Sequence, residues 1–153
     1  MQYDQFELDF VRRTRAILEQ YDAHVVPSVG APERYEVTLL TNCLLGLIAL
    51  PKQLLSAKIP SDPECRFGDW GLPDSVVKSW GNAAAGNDPS MHTLAEFVGR
   101  LRNGVCHLRL EVEAQNGEIT ALRFHDLNGF EALVPVDCLK NFVYKLSDVL
   151  LVA

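Results

Sequence analysis

The chain has 153 residues and a mass of 17.0 kDa, with 48% apolar residues, 22% charged residues and a formal net charge of −6. This composition excludes disorder as the main state, and the length buries a core without staples. The acidic balance, with a pI near 5.1, excludes a uniformly basic nucleic-acid coat but leaves room for a local basic site.

The size predicts one domain over 1–153. No stretch reaches the roughly 18–20 uninterrupted apolar residues of a membrane span. The closest, 39–50, is interrupted by Thr41 and Asn42 and reads as a buried helix. The first ten residues, MQYDQFELDF, have no basic start and no apolar run, so no signal peptide and no membrane partner are expected. Cys43, Cys65, Cys106 and Cys138 show no CxxC spacing. Reduced thiols in a cytoplasmic protein fit them better than a disulfide frame or a zinc site.

In chain order, the first predicted helix covers 4–24. Phe6, Phe10, Ile17, Leu18, Tyr21 and Val25 recur at three and four residues. Arg12, Arg13 and Arg15 cluster on it and read as a solvated face. The second helix covers 33–50, with Pro32 suited to its first turn and Pro51 ending it. It is apolar on nearly every side from Leu39 on, as a central helix is. Thr38, Thr41 and Asn42 lie close together on it, where a hydroxyl often bonds back to a carbonyl one turn earlier.

Residues 51–90 are broken by Pro51, Pro60, Pro63, Pro73 and Pro89 and by several glycines. They read as a surface excursion holding one short helix over 74–80. Trp70 and Trp80 in it serve either as base-stacking platforms or as pins to the core, and pinning is the commoner role.

Ser90 suits an N-cap, and a helix over 90–107 follows. Its apolar stripe is Leu94, Phe97, Val98, Leu101, Val105 and Leu108. The period then switches to two, and Asn116-Gly117 is a hairpin turn signal, predicting a β-hairpin over 108–126 with its return strand at 118–125. A two-residue turn there pairs Ala114 with Ile119 and Val112 with Ala121, and sets His125 opposite Leu108. Asp137 suits the cap of a last helix over 138–150. The expected fold is therefore all-α, an up-down bundle carrying one β-hairpin.

The chemically informative stretch is RLRNGVCHLR, 100–109. On a helical wheel Glu96, Arg100, Asn103 and His107 form one polar seam opposite the apolar stripe. Arg102 lies on the flank with Arg109, and the small residues Gly99 and Cys106 lie between the two groups. An imidazole, a guanidinium and an amide on one helix suit a phosphodiester: histidine moves protons near neutral pH, and arginine matches phosphate geometry. Ordinary structural roles fit the same residues. A cation at His107 suits a helix C-terminus, and Glu96 with Arg100 makes a surface pair. A metal site built from His107, His125 and Cys106 has no recognised spacing.

The run RNGVCH at 102–107 resembles the signature of the HEPN superfamily (higher eukaryote and prokaryote nucleotide-binding domains). That signature is an Arg, a small polar residue and a His a few positions on, near the end of a helix. The stretch YEVTLLTNCLLGLIALP, 35–51, resembles the second helix of a subfamily found on plasmids and other mobile elements of bacteria. The resemblance implies a metal-independent endoribonuclease of the toxin or phage-defence kind, needing no cofactor because RNA supplies its own 2′-hydroxyl nucleophile. It implies a homodimer with a composite cleft, RNA as substrate, and an antitoxin protein as a further partner. On it Arg102 binds the scissile phosphate, His107 is the general acid or base, and Asn103 positions the site. Arg100, Arg109 and His125 are further candidates for substrate contact. A dimer also suits the wheel, since Arg102 and His107 are roughly 140° apart on an ideal helix. The small-residue strip then places the 90–107 helix against its symmetry mate. The rival reading is a catalytically inactive HEPN-like dimer that holds a nucleotide or a protein partner.

Overall fold

Amphipathic spacing builds four main helices in the computed structural model, which describes residues 5–28, 35–82 and 86–152. The first, α1 (Phe6–Gln20), buries Val11, Thr14 and Leu18. The buried line is thus not the predicted one, because Phe6 and Ile17 are each 50% exposed. One turn of π-helix, Tyr21–Val25, continues it. Asp22 in that turn accepts from the Tyr144 hydroxyl at 2.5 Å and from Lys140 at 2.7 Å, tying the turn to the last helix. Arg15 is not on a solvated face. It donates to Ser147 and Asp148, and its guanidinium lies 4.2 Å from the Tyr144 ring centre.

Helix α2 (Glu36–Ala49) buries Leu40, Cys43, Leu44, Leu47 and Ile48. The Thr41 hydroxyl bonds back to the Val37 carbonyl at 2.7 Å, as its position predicts. The predicted starts of the first two helices, at Asp4 and at Pro32 with Glu33, lie outside the described residues. The last helix, α5 (Val136–Leu151), buries Leu139, Phe142, Val143, Leu146 and Leu150 of its expected stripe and leaves Val149 half-buried. Pro135 rather than Asp137 occupies its N-cap, and Asp137 sits in the first turn. Among the described residues no single helix is long and apolar enough to cross a membrane.

The all-α expectation is wrong. A four-stranded antiparallel sheet, in the order β1-β4-β3-β2, is formed by β1 (Val77–Trp80), β2 (Leu110–Gln115), β3 (Glu118–His125) and β4 (Phe130–Pro135). The predicted hairpin is its β2–β3 edge. Strand β4 extends it because Phe130, Ala132 and Val134 alternate into the core. The helix predicted over 74–80 is corrected to β1, which pairs with β4 through Val77 to Ala132 and Trp80 to Phe130. Packing against a neighbouring strand overrides a local pattern this short. The hairpin register is also shifted. Ala114 faces Ile119 as expected, but Val112 faces Leu122, because a bulge follows Glu113 and leaves Thr120 without a partner on β2. Asn116 and Gly117 both take positive φ, 52° and 81°, as this turn requires.

Nor are residues 51–90 a surface excursion. After Leu50 the chain bends by 79° into a short helix, α3 (Lys52–Lys58). The Glu7 carboxylate of α1 accepts from the backbone N–H of Gln53 and Leu54 at its start. A 3-10 segment, Glu64–Trp70, follows. Phe67, Trp70, Leu72, Val76 and Trp80 from this region all join the core. Both tryptophans are therefore pins: Trp70 donates to Asp62 and Trp80 to Glu64. Gly81 turns the chain away beneath the β3–β4 turn. A Cβ there would lie 2.1 Å from the Asn128 carbonyl oxygen.

Trp80 also stacks on His92, with ring centres 4.0 Å apart and planes 7° from parallel. His92 is 1% exposed, with Nδ1 2.9 Å from Glu96 Oε2 and Nε2 2.7 Å from the Gly86 carbonyl. Burial opposes its charge, but the Glu96 carboxylate, the Gly86 carbonyl and the nearby Glu64 carboxylate outweigh burial and hold its pKa above the ordinary histidine value. A raised folded-state pKa contributes stability fully below the unfolded value of about 6.5 and loses it as pH rises through the folded value. Urea unfolding of the parent and His92→Gln across this range should show a stability difference that is largest at acid pH and shrinks in alkali. A difference independent of pH would show that folding leaves the pKa of the ring unchanged.

Candidate functional site

The motif helix is α4 (Leu94–Cys106). Its N-cap is Thr93, whose hydroxyl accepts from the Glu96 N–H at 3.2 Å, and not Ser90, which lies in a preceding 3-10 turn. Leu94, Phe97, Val98, Leu101 and Gly104 are buried, so the rigid core fixes the axis of the helix. At its end the Leu108 N–H donates to the Val105 carbonyl and the Arg109 N–H to the Gly104 carbonyl, at 3.1 and 2.7 Å. This is a Schellman cap, with His107 at the C-cap and Leu108 in the left-handed position.

Leucine is an unusual choice there. Leu108 has φ +55° and is 92% exposed, so its side chain gains little packing for the strain. Leu108→Gly should raise stability by about 0.5–1 kcal/mol in denaturant unfolding. A loss of stability would show that Leu108 makes contacts in solution that compensate the strain.

The predicted polar seam divides into an engaged half and a free half. Glu96 holds His92, and Arg100 Nη1 donates to Asp126 Oδ2 at 2.8 Å. The side chains of Arg100 and Asp126 are 18% and 6% exposed, and the guanidinium also faces the Phe130 ring. Burial alone would raise the Asp126 pKa. Arg100 and the N–H groups of Phe130 and Asn128 reverse that and hold it below the ordinary carboxylate range. Arg100 thus anchors α4 to the β3–β4 turn. Farther along, Asn103 and His107 are exposed.

Arg102 lies on another face. It lines a cleft of about 130 Å³ between α3 and α4, and His107 is not part of that lining. Leu55 of α3, Ile59 just after it and Val98 of α4 form its apolar floor. A Cβ on Gly99 would meet nothing within 4 Å, so the cleft is open on that side. Arg102 Nε is buried without a hydrogen-bond partner, a state shared among the described residues only by the Tyr21 hydroxyl. Leaving such a donor unmet costs about 1–3 kcal/mol, so the position favours an acceptor oxygen from water or ligand.

His107 stands at the exposed C-cap and does not line the Arg102 cleft. Cys106, at the other end of the small-residue strip, is exposed. Arg109 is half-buried at the start of the hairpin. The shifted register places His125 opposite Arg109, whose carbonyl accepts from the His125 N–H at 3.2 Å. The His125 ring lies 3.8 Å from Glu111. His107, His125 and Cys106 form no metal-binding group among the described residues. Lys52 and Ser56, which line the Arg102 cleft from α3, were not visible as site residues in the sequence, because only the tertiary bend at Leu50 brings them there.

No curated protein and no solved structure matches the chain. A family model does: the one described as HEPN pEK499 p136 matches residues 1–153. With a helix-end Arg-Asn…His motif and a match over its whole length, this chain belongs to the HEPN pEK499 p136 family.

Proposed function

We propose that this chain is a metal-independent endoribonuclease of the toxin or phage-defence kind, acting in the cytoplasm as a homodimer restrained by an antitoxin protein. HEPN domains are often ribonucleases and commonly act as dimers. One observation carries the reading. In a chain with 20 acidic against 14 basic residues, Arg100 is neutralised by Asp126, whereas neither Arg102 nor His107 pairs with a carboxylate among the described residues. Both motif groups are left available to a ligand, and Arg102 has a buried donor unmet.

In this reading the Arg102 guanidinium holds the non-bridging phosphate oxygens, and Asn103 orients the strand. His107 takes or gives the proton. The 2′-hydroxyl attacks phosphorus, its proton passes to an imidazole, and the 5′-oxygen leaves with a proton from a second imidazole. Because Arg102 and His107 face different sides of α4, the second protomer completes the cleft.

The test is purified protein with single-stranded RNA in EDTA. Products bearing a 2′,3′-cyclic phosphate and a 5′-hydroxyl support the reading. Cleavage that needs added Mg²⁺ refutes the metal-independent route. RNA binding without turnover, together with harmless induction in cells, establishes the non-catalytic alternative instead.

A further inference from the structure

Two helix faces with the same spacing meet across the Arg102 cleft. Lys52 and Ser56 are one turn apart on α3, and Gly99 and Arg102 are one turn apart on α4. The floor is apolar, and three side chains bring polar groups to the cleft. Those groups are a guanidinium, an ammonium and a hydroxyl, all able to donate. No carboxylate lines the cleft among the described residues; Glu7 accepts from the N–H groups of Gln53 and Leu54, and Glu96 from His92. Neither Lys52 nor Arg102 has a carboxylate partner among the described residues, whereas Arg12, Arg66 and Arg123 each have one. The Ser56 hydroxyl donates to the Lys52 carbonyl at 3.0 Å, a back-bond that it can exchange for a ligand oxygen by rotation. The volume of about 130 Å³ has room for one tetrahedral oxyanion.

We propose that this cleft is a phosphate subsite in which Lys52 and Ser56 of α3 join Arg102 to hold one phosphoryl group of a single-stranded RNA backbone. The proposal rests on the ribonuclease reading for the identity of its ligand. Lys52 and Ser56 are positioned to bind and orient the strand, and neither is assigned a proton to transfer. Charge-assisted hydrogen bonds from Arg102 and Lys52 to phosphate oxygens are stronger than neutral ones.

The experiment separates binding from cleavage. Fluorescence anisotropy with a labelled, single-stranded 2′-O-methyl oligoribonucleotide reads binding alone, because the nucleophile is blocked. Lys52→Ala should bind it about 5–10-fold more weakly and lower the magnitude of the log–log salt slope by roughly 0.7, the value for one phosphate contact on a single strand. Lys52→Glu should lose more, Ser56→Ala a few-fold, and Lys52→Arg little. Lys52 is exposed at a helix start, and matched melting temperatures confirm that its variants fold. Inorganic phosphate is titrated against the same panel. If Lys52 variants weaken phosphate but not the oligonucleotide, the cleft is a free-anion pocket and the RNA assignment is overturned. Parent-like oligonucleotide affinity and salt slope in Lys52→Ala and Lys52→Glu overturn the subsite even where RNA is cleaved. Weakened binding in a protein that cleaves nothing supports the subsite and removes the ribonuclease reading instead.

Discussion

Trp80→Ala should destabilise the protein by about 3–5 kcal/mol, the range for a large aromatic removed from a packed core. Trp80 is 1% exposed and sits where three parts of the chain converge. Its ring stacks on His92 at 4.0 Å and packs against Phe130 at 5.6 Å. Its indole N–H donates to Glu64 at 2.8 Å, and its backbone N–H donates to Asn87 at 2.8 Å. Truncation opens a cavity and strands the Glu64 carboxylate. It also removes the aromatic face from a histidine whose pKa the fold holds above the ordinary value. Net stabilities of 5–15 kcal/mol leave little after such a loss. Trp80→Phe keeps most of the ring contact and should cost about 1–3 kcal/mol, mainly from the unpaired Glu64. Urea unfolding followed by circular dichroism measures both. A Trp80→Ala loss below about 1 kcal/mol, a surface-like value, would mean that this strand does not pack as described.

How much of this was legible in the sequence depends on the range of the interaction that shapes each element. Helices α1, α2, α4 and α5 show their apolar spacing over three turns or more, and Asn116-Gly117 announces its hairpin through backbone chirality alone. Strand β4 also has a signal in the sequence. Asn128-Gly129 repeats the same dipeptide, Gly129 takes φ +86°, and FEALVP alternates behind it. Strand β1 carried none of its own. Four residues following Val76 read equally well as one helical turn, and only pairing with β4 decides between them. The register error has a local cause, one bulged residue at Thr120, and a single slip moved His125 from Leu108 to Arg109.

The site was legible only along α4. Spacing placed Arg102 and His107 on different faces, but it did not separate Arg100, engaged by Asp126 through the β3–β4 turn, from Arg102, whose Nε has no partner among the described residues. Residue type is the same in both, and the difference is made entirely by what folds over each guanidinium. Lys52 and Ser56 were read as part of a loop-like stretch because α3 has seven residues, too few to display a period.

The last expected result concerns chemistry. His107→Ala should lower RNA cleavage on the order of 10² or more, the scale of a proton-transfer group. His107 occupies the C-cap of α4 and is exposed, so its ring can meet a ligand. A symmetric dimer brings two such rings to one cleft. One must be neutral to accept the 2′-hydroxyl proton, and the other charged to protonate the leaving 5′-oxygen. The rate should therefore be bell-shaped in pH, with two apparent pKa values that belong to the pair. Arg102→Lys should also be poor, because an ammonium cannot span two phosphate oxygens as a planar fork does. It also removes the buried Nε donor that now lacks an acceptor, so the exchange should leave stability unharmed while lowering turnover. That pairing separates a ligand-binding arginine from a structural one. Measured by single-turnover cleavage of a labelled RNA in EDTA, parent-like rates in His107→Ala would remove the imidazole from the mechanism. Parent-like rates in Arg102→Lys would show that only charge, and not bidentate geometry, is needed at the phosphate.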